Sequence, residues 1–233
     1  LVGSEMCIRD SKYNGGVAKA DLNDENLDAL KAGMPNLLRH VDNIQSVYGL
    51  PCVVAINRFP TDTEAELELI ESECQKLGVN VKLSEVWAKG GEGALELADE
   101  VMRLIEQPSE FKFAYEDGAD VADALEAVAT KVYRADGVDF TPAAKRQLAE
   151  LRENGFGNLP VCVAKTQYSF SDNAKALGAP ENFRITVREL KVSAGAHFVV
   201  ALTGSVLTMP GLPKVPAAEN IDVDNDGNIT GLF

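Results

Sequence analysis

Basic residues, histidine, tryptophan and long apolar runs are all scarce in this 233-residue chain. Twenty-two Lys and Arg stand against 36 Asp and Glu, a formal net charge of −14. That excess of carboxylates argues against a nucleic-acid partner, because phosphate backbones are held by clustered Lys and Arg. Small anionic ligands remain open, since a single pocket can be locally positive. No run approaches the ~18 apolar residues of a membrane span, so no membrane partner is expected. The N-terminus lacks the apolar core of an export signal, and a cytoplasmic location is expected. The four cysteines, Cys7, Cys52, Cys74 and Cys162, show no C-x-x-C spacing, and His40 and His197 are the only histidines. This argues against a zinc site. Cys52 and Cys162 lie in apolar strand-like runs, which predicts reduced, buried thiols. Neither G-x-x-x-x-G-K-[ST] nor G-x-G-x-x-G occurs, so there is no complete phosphate cradle and little support for a Rossmann-type dehydrogenase.

What is present is ordinary globular material, 45% apolar and 25% charged, long enough for one large domain or two small ones. NDENLDAL predicts a short helix with Asn23 as its cap. A second helix is expected after Gly33, with Pro35 in its first turn and Gly49 past its end. Cys52–Asn57 is a short β-branched run of the kind buried in a parallel sheet. Thr61 and Glu64 have capping-box spacing for a helix with Leu67, Ile70, Cys74 and Leu77 on one face. Val79, Val81 and Leu83 then alternate as a strand. A strand, helix and strand within about 32 residues predict a parallel crossover. Gly90–Gly91 precede a helix with Leu95, Leu97, Val101, Met102 and Ile105 as its apolar members.

Pro108 interrupts the pattern, and residues 108–118 read as a connector. Beyond it come a helix through Val121, Leu125, Val128, Val132 and Tyr133, and another over Thr141–Asn154. Strands are expected at LPVCVAK, ENFRITVREL and HFVVALTG. The whole predicts an α/β protein: a parallel-sheet βαβ unit over residues 12–107, then a second, smaller α/β domain over 119–233.

Open parallel sheets bind ligands beyond the carboxyl ends of their strands. Here one strand runs out into Asn57-Arg58-Phe59-Pro60 and the next into Ser84-Glu85-Val86-Trp87. Neighbouring strands lie ~4.8 Å apart, so Phe59 and Trp87 either flank a flat ring or cap the core. Lys89-Gly90-Gly91-Glu92-Gly93 precedes a helix and offers free N–H groups to an anion, but Glu92 opposes one and the glycines alone explain a tight turn. Asp222-x-Asp224-x-Asp226-Gly227 begins like a calcium loop, yet its twelfth position is Phe233, and a turn between short strands is expected instead. His40 and His197 read as structural residues.

Six stretches carry a resemblance: KYNGGVAKADL, NLLRHVDNI, PCVVAINRFPTDTEAE, EVWAKGGEGALELA, AKTQYSFSDNAKALGAP and TMPGLPKVPAAENIDVDNDGNITGLF. Together they span residues 12–233 and resemble the formate–tetrahydrofolate ligases. Lys12-Tyr13-Asn14-Gly15-Gly16 is similar to the tail of a family signature. Its upstream half is an apolar strand leading into Arg-Ala-Leu, where this chain has LVGSEMCIRDS, so residues 1–11 are expected to be foreign. Leu1 stands in place of an initiator Met, and the chain is expected to be a piece of a longer one.

The resemblance implies synthesis of 10-formyltetrahydrofolate from formate, tetrahydrofolate and ATP, through a formyl phosphate attacked by the folate N10. It also implies Mg with the ATP, a monovalent cation, a homotetramer, and a first unit that is the remainder of a P-loop NTPase-like domain. The family's two stacking aromatics match Phe59 and Trp87, with Leu83 at the apolar wall. The phosphate loop with its Lys and Thr, and the Arg that holds formyl phosphate, have no counterpart here. No catalytic residue is therefore assigned. The chain is expected to keep a folate platform without running the ligation; the competing reading is a non-catalytic binding or assembly module. The TMPGLPKVP loop is expected near the nucleotide, with no role assigned within it.

Overall fold

The computed structural model describes residues 4–206 and 214–231. Most of the TMPGLPKVP loop lies outside them. The chain opens with β1 (Ser4–Met6), α1 (Ile8–Asn14) and α2 (Leu27–Asp42). Then come β2 (Val53–Asn57), α3 (Glu64–Gln75) and β3 (Asn80–Ser84). The three strands form one parallel sheet in the order β1-β2-β3. In β2 the apolar run buries Val54 and Ile56 almost completely. The β2–α3–β3 unit is the expected parallel crossover, in register from Val53↔Asn80 to Asn57↔Ser84. Segment 4–11 takes part in this layer: β1 pairs with β2, and Ile8 is fully buried.

Two local expectations are corrected. Residues 27–42 form one helix, not two separated at Gly33, and its cap is Asn26 rather than Asn23. The Asn26 side chain accepts from Ala29 N–H at 2.9 Å. Pro35 sits inside the helix instead of at a start. Gly33 is there for packing: a Cβ on it would stand 1.8 Å from the Ser11 carbonyl oxygen, and one on Gly15 would stand 1.8 Å from that of Ala29. Helices α1 and α2 thus cross backbone to backbone, an approach only glycine permits. Leu30, Met34, Leu37 and Val41 line the buried face of α2, each contributing about 2 kcal/mol of apolar burial. The capping box of α3 is Thr63 with Glu66, not Thr61 with Glu64. The pattern Thr-x-Thr-Glu-x-Glu offers both spacings, and burial of Glu66 selects the second.

The second half contains α4 (Val86–Lys89), α5 (Leu95–Ile105), α6 (Val121–Ala127), β4 (Val138–Phe140), α7 (Pro142–Glu153), β5 (Val161–Ala164), β6 (Ile185–Ser193) and β7 (Phe198–Thr203). Strands β8 (Asp222–Val223) and β9 (Ile229–Thr230) close a hairpin around the Asp224–Asn228 turn. The four-stranded sheet runs β4-β6-β7-β5, antiparallel only between β6 and β7. Residues 108–118 carry neither helix nor strand and return to the end of α2 through Glu110 N–H on Gly49 O and Lys112 N–H on Tyr48 O. One apolar core lies under the first sheet and a second under the four-stranded one. Polar contacts join their elements. Asn36 Nδ2 donates to Gly178 O at 2.8 Å and Arg39 to Pro180 O at 2.8 Å, while Arg134 pairs with Asp42.

Cys162 is exposed, contrary to the buried thiol expected of its strand, whereas Cys52 is buried. On α5, Leu95, Met102 and Ile105 are exposed and Leu104 is the buried apolar residue. The face of α5 toward the sheet also carries Glu100, only 7% exposed. Its carboxylate accepts from Arg103 Nη2 at 2.6 Å and from Asn80 Nδ2 of β3 at 2.8 Å. The Arg103 hydrogen bond, with Asn80 adding, holds the Glu100 carboxyl down at about 2. A carboxyl more acidic in the folded chain stabilises it above the ordinary value of 4.5, and that stability is lost as pH falls from 4.5 toward about 2. Glu100→Gln is therefore expected to flatten the fall in urea-unfolding stability across that window and to leave the slope at neutral pH unchanged.

Candidate functional site

The carboxyl ends of β2 and β3 lie side by side, and the turns that leave them are bound together. Arg58 N–H donates to Ser84 O at 3.1 Å, carrying the ladder one step past the strands. The Arg58 carbonyl accepts the Trp87 indole N–H at 2.8 Å. Trp87 stands on α4, a single turn beginning at the second residue beyond β3, and is 59% exposed. A Lys89–Glu85 ion pair at 2.6 Å spans that turn, and Glu85 N–H donates to Gly93 O. The glycine loop 89–93 is thus folded back onto the end of β3.

Phe59 is half-buried beside a cleft of about 510 Å³ lined by Cys7, Arg9, Asp10, Leu22, Asn57 and itself. The Arg9 guanidinium lies 4.1 Å from the ring centroid, a cation–π contact that covers one face. Leu83 is half-buried, opposite Ile56 on β2, and packs against the first core. The structure therefore brings the Phe59 and Trp87 turns together through Arg58, and sets Leu83 one strand position behind Ser84. His40 is elsewhere, in tilted contact with Phe170 with ring centroids 4.6 Å apart. Among the described residues no group of three or more His, Cys, Asp or Glu is placed to hold a metal ion.

Two residues at this edge went unread in the sequence. Arg9 lies in the segment set aside as foreign. Asp62 reads in the sequence as part of a helix start; a side-chain bond to the N–H three residues back is a local pattern open to Asp that the sequence does not single out. Asp62 Oδ2 accepts from Phe59 N–H at 2.7 Å.

The turn is fixed from below by a buried ion pair. Lys12 Nζ lies 2.9 Å from Glu66 Oε1, with side chains 1% and 0% exposed. Lys12 also donates to Asp24 O at 2.9 Å, and Glu66 accepts from Asn26 N–H at 3.3 Å and Thr63 N–H at 3.2 Å. These bonds lock the start of α3, and with it the end of the Phe59–Asp62 turn.

A twisted α/β sheet with aromatics and polar groups at the carboxyl ends of adjacent parallel strands is the architecture of a small-molecule-binding α/β protein. The formate–tetrahydrofolate ligase family model matches residues 5–233, and the chain belongs to that family. The match begins within segment 1–11.

Glu66→Gln leaves the Lys12 ammonium buried without a counter-charge, a defect that costs about 3 kcal/mol or more. Urea unfolding should show that loss, against about 1 kcal/mol for the cap variant Thr63→Ala; equal losses would reduce Glu66 to a cap.

Proposed function

We propose that this chain carries the folate platform of an ATP-dependent ligase that joins formate to tetrahydrofolate, giving 10-formyltetrahydrofolate, ADP and phosphate by way of formyl phosphate. Phe59 and Trp87 stack on the flat part of the folate, with Leu83 at the apolar wall. The observation that carries the reading is the pair of parallel strand ends, in register to Asn57↔Ser84 and bridged by the Trp87–Arg58 hydrogen bond. Family membership supplies the substrate class. Arg9 would move off the Phe59 face as the ligand ring enters, giving up a cation–π contact of about 0.5–1 kcal/mol for stacking plus the apolar area it buries, the larger of the two. Stacking fixes the plane of the folate, and so the direction in which N10 points.

ATP, with its Mg, supplies the activation: phosphorylation of formate creates an acyl phosphate with a good leaving group. These 233 residues contain no G-x-x-x-x-G-K-[ST], and we assign none of them to that step. A monovalent cation, a homotetramer and a cytoplasmic location complete the proposal. The absent phosphate loop favours a second reading, a folate-binding or assembly module without ligase chemistry.

Trp87 is the chain's only tryptophan, so its emission reports one position. Titration with tetrahydrofolate should change that emission, and Phe59→Ala should weaken binding by about tenfold, the size of a lost stacking contact with its buried area. An unchanged spectrum at saturating ligand would contradict the stacking role of the two rings. Formate- and folate-dependent ATP turnover by the purified chain is expected to be absent; its detection would contradict the platform-only role.

A further inference from the structure

The turn that carries Phe59 is closed by a carboxylate that stacking alone does not require. Asp62 is 6% exposed. Its Oδ2 accepts from Phe59 N–H at 2.7 Å, and its own N–H donates to Phe59 O at 3.0 Å. Its Oδ1 is buried with no hydrogen-bond partner among the described residues. Burial pushes the Asp62 carboxyl up; the Phe59 N–H bond, Lys12 and Arg9 pull against that, and Glu66 adds to it. A half-satisfied buried carboxylate is a costly way to close a turn that Ser or Asn also closes.

The geometry of one peptide unit gives the carboxylate a purpose. Phe59 N–H and Arg58 C=O belong to the same planar group. Asp62 holds its N–H end, and the Trp87 indole donates to its C=O end at 2.8 Å. Rotation of that plane would break both bonds at once. A charged acceptor on the N–H also polarises the carbonyl and strengthens the indole bond.

We propose that Asp62 is a positioning residue for the aromatic clamp, fixing the Arg58–Phe59 peptide so that the Phe59 ring and the Trp87 indole are set together for a flat ligand. The proposal rests on the folate reading and adds to it the residue that orients both rings.

The test uses the full chain and tetrahydrofolate, with wild type, Asp62→Ala, Asp62→Asn and Asp62→Glu. Asn keeps an acceptor at the same reach and loses the charge, whereas Glu keeps the charge and displaces the acceptor. The lone indole N–H gives one resonance, which reads the Trp87–Arg58 bond without ligand. Asp62→Ala and Asp62→Glu should shift that resonance and speed its exchange with solvent. Both should also weaken tetrahydrofolate by about tenfold, the size of one hydrogen bond to a charged group. Asp62→Asn, which keeps the acceptor and loses the charge, should fall between wild type and Asp62→Ala: about threefold weaker binding and a smaller shift of the indole resonance. If Asp62→Ala does not fold, the Glu and Asn pair carries the same comparison. A wild-type chain that binds, with variants that bind equally and an indole signal that never moves, would overturn the role of Asp62 alone. A wild-type chain that does not respond to tetrahydrofolate would overturn the folate reading and this role with it.

Discussion

The Lys12–Glu66 ion pair is the contact on which the first half of the molecule depends. Both groups are out of solvent, and together they reach the end of α1, the start of α2 and the start of α3. Charges are expensive to bury, and such a pair needs further hydrogen bonds to hold. Here the Asp24 carbonyl supports Lys12, and the Asn26 and Thr63 amides support Glu66. The pair also explains why Glu66 and not Glu64 closes the capping box: one carboxylate serves a cap and a counter-ion together.

From that anchor the site follows by short steps. α3 begins at a fixed point, so the Phe59–Asp62 turn before it has little freedom. β2 and β3 end in register, so Arg58 meets Ser84 and the Trp87 indole meets the Arg58 carbonyl. The Phe59 turn and the Trp87 indole are tied together through the Arg58–Phe59 peptide. The chain belongs to the formate–tetrahydrofolate ligase family, and the proposed stacking on folate would take its direction from the Arg58–Phe59 peptide.

Much of this was legible in the sequence because it depends on local periodicity. The β2–α3–β3 crossover, the helix read over Thr141–Asn154, and the Asp224 hairpin turn each rest on a few adjacent residues, and each is present. The errors fall where a distant partner decides. Gly33 and Pro35 look like a break in a helix; only the crossing of α1 shows that Gly33 serves close packing. Cys162 sits in an apolar run yet faces outward, a matter of which side of β5 is covered. Asp62 resembles any helix-start carboxylate until its bond to Phe59 N–H is seen. The strand ends could be located from the residues alone; the proposal of folate there rests on the family resemblance.

The central claim, that Phe59 and Trp87 grip opposite sides of one folate, is tested most directly by intermolecular nuclear Overhauser contacts in the tetrahydrofolate complex. The account predicts contacts from the ligand's aromatic and methylene protons to both the Phe59 ring and the Trp87 indole. Contacts to one ring only, or to residues away from the ends of β2 and β3, would contradict it.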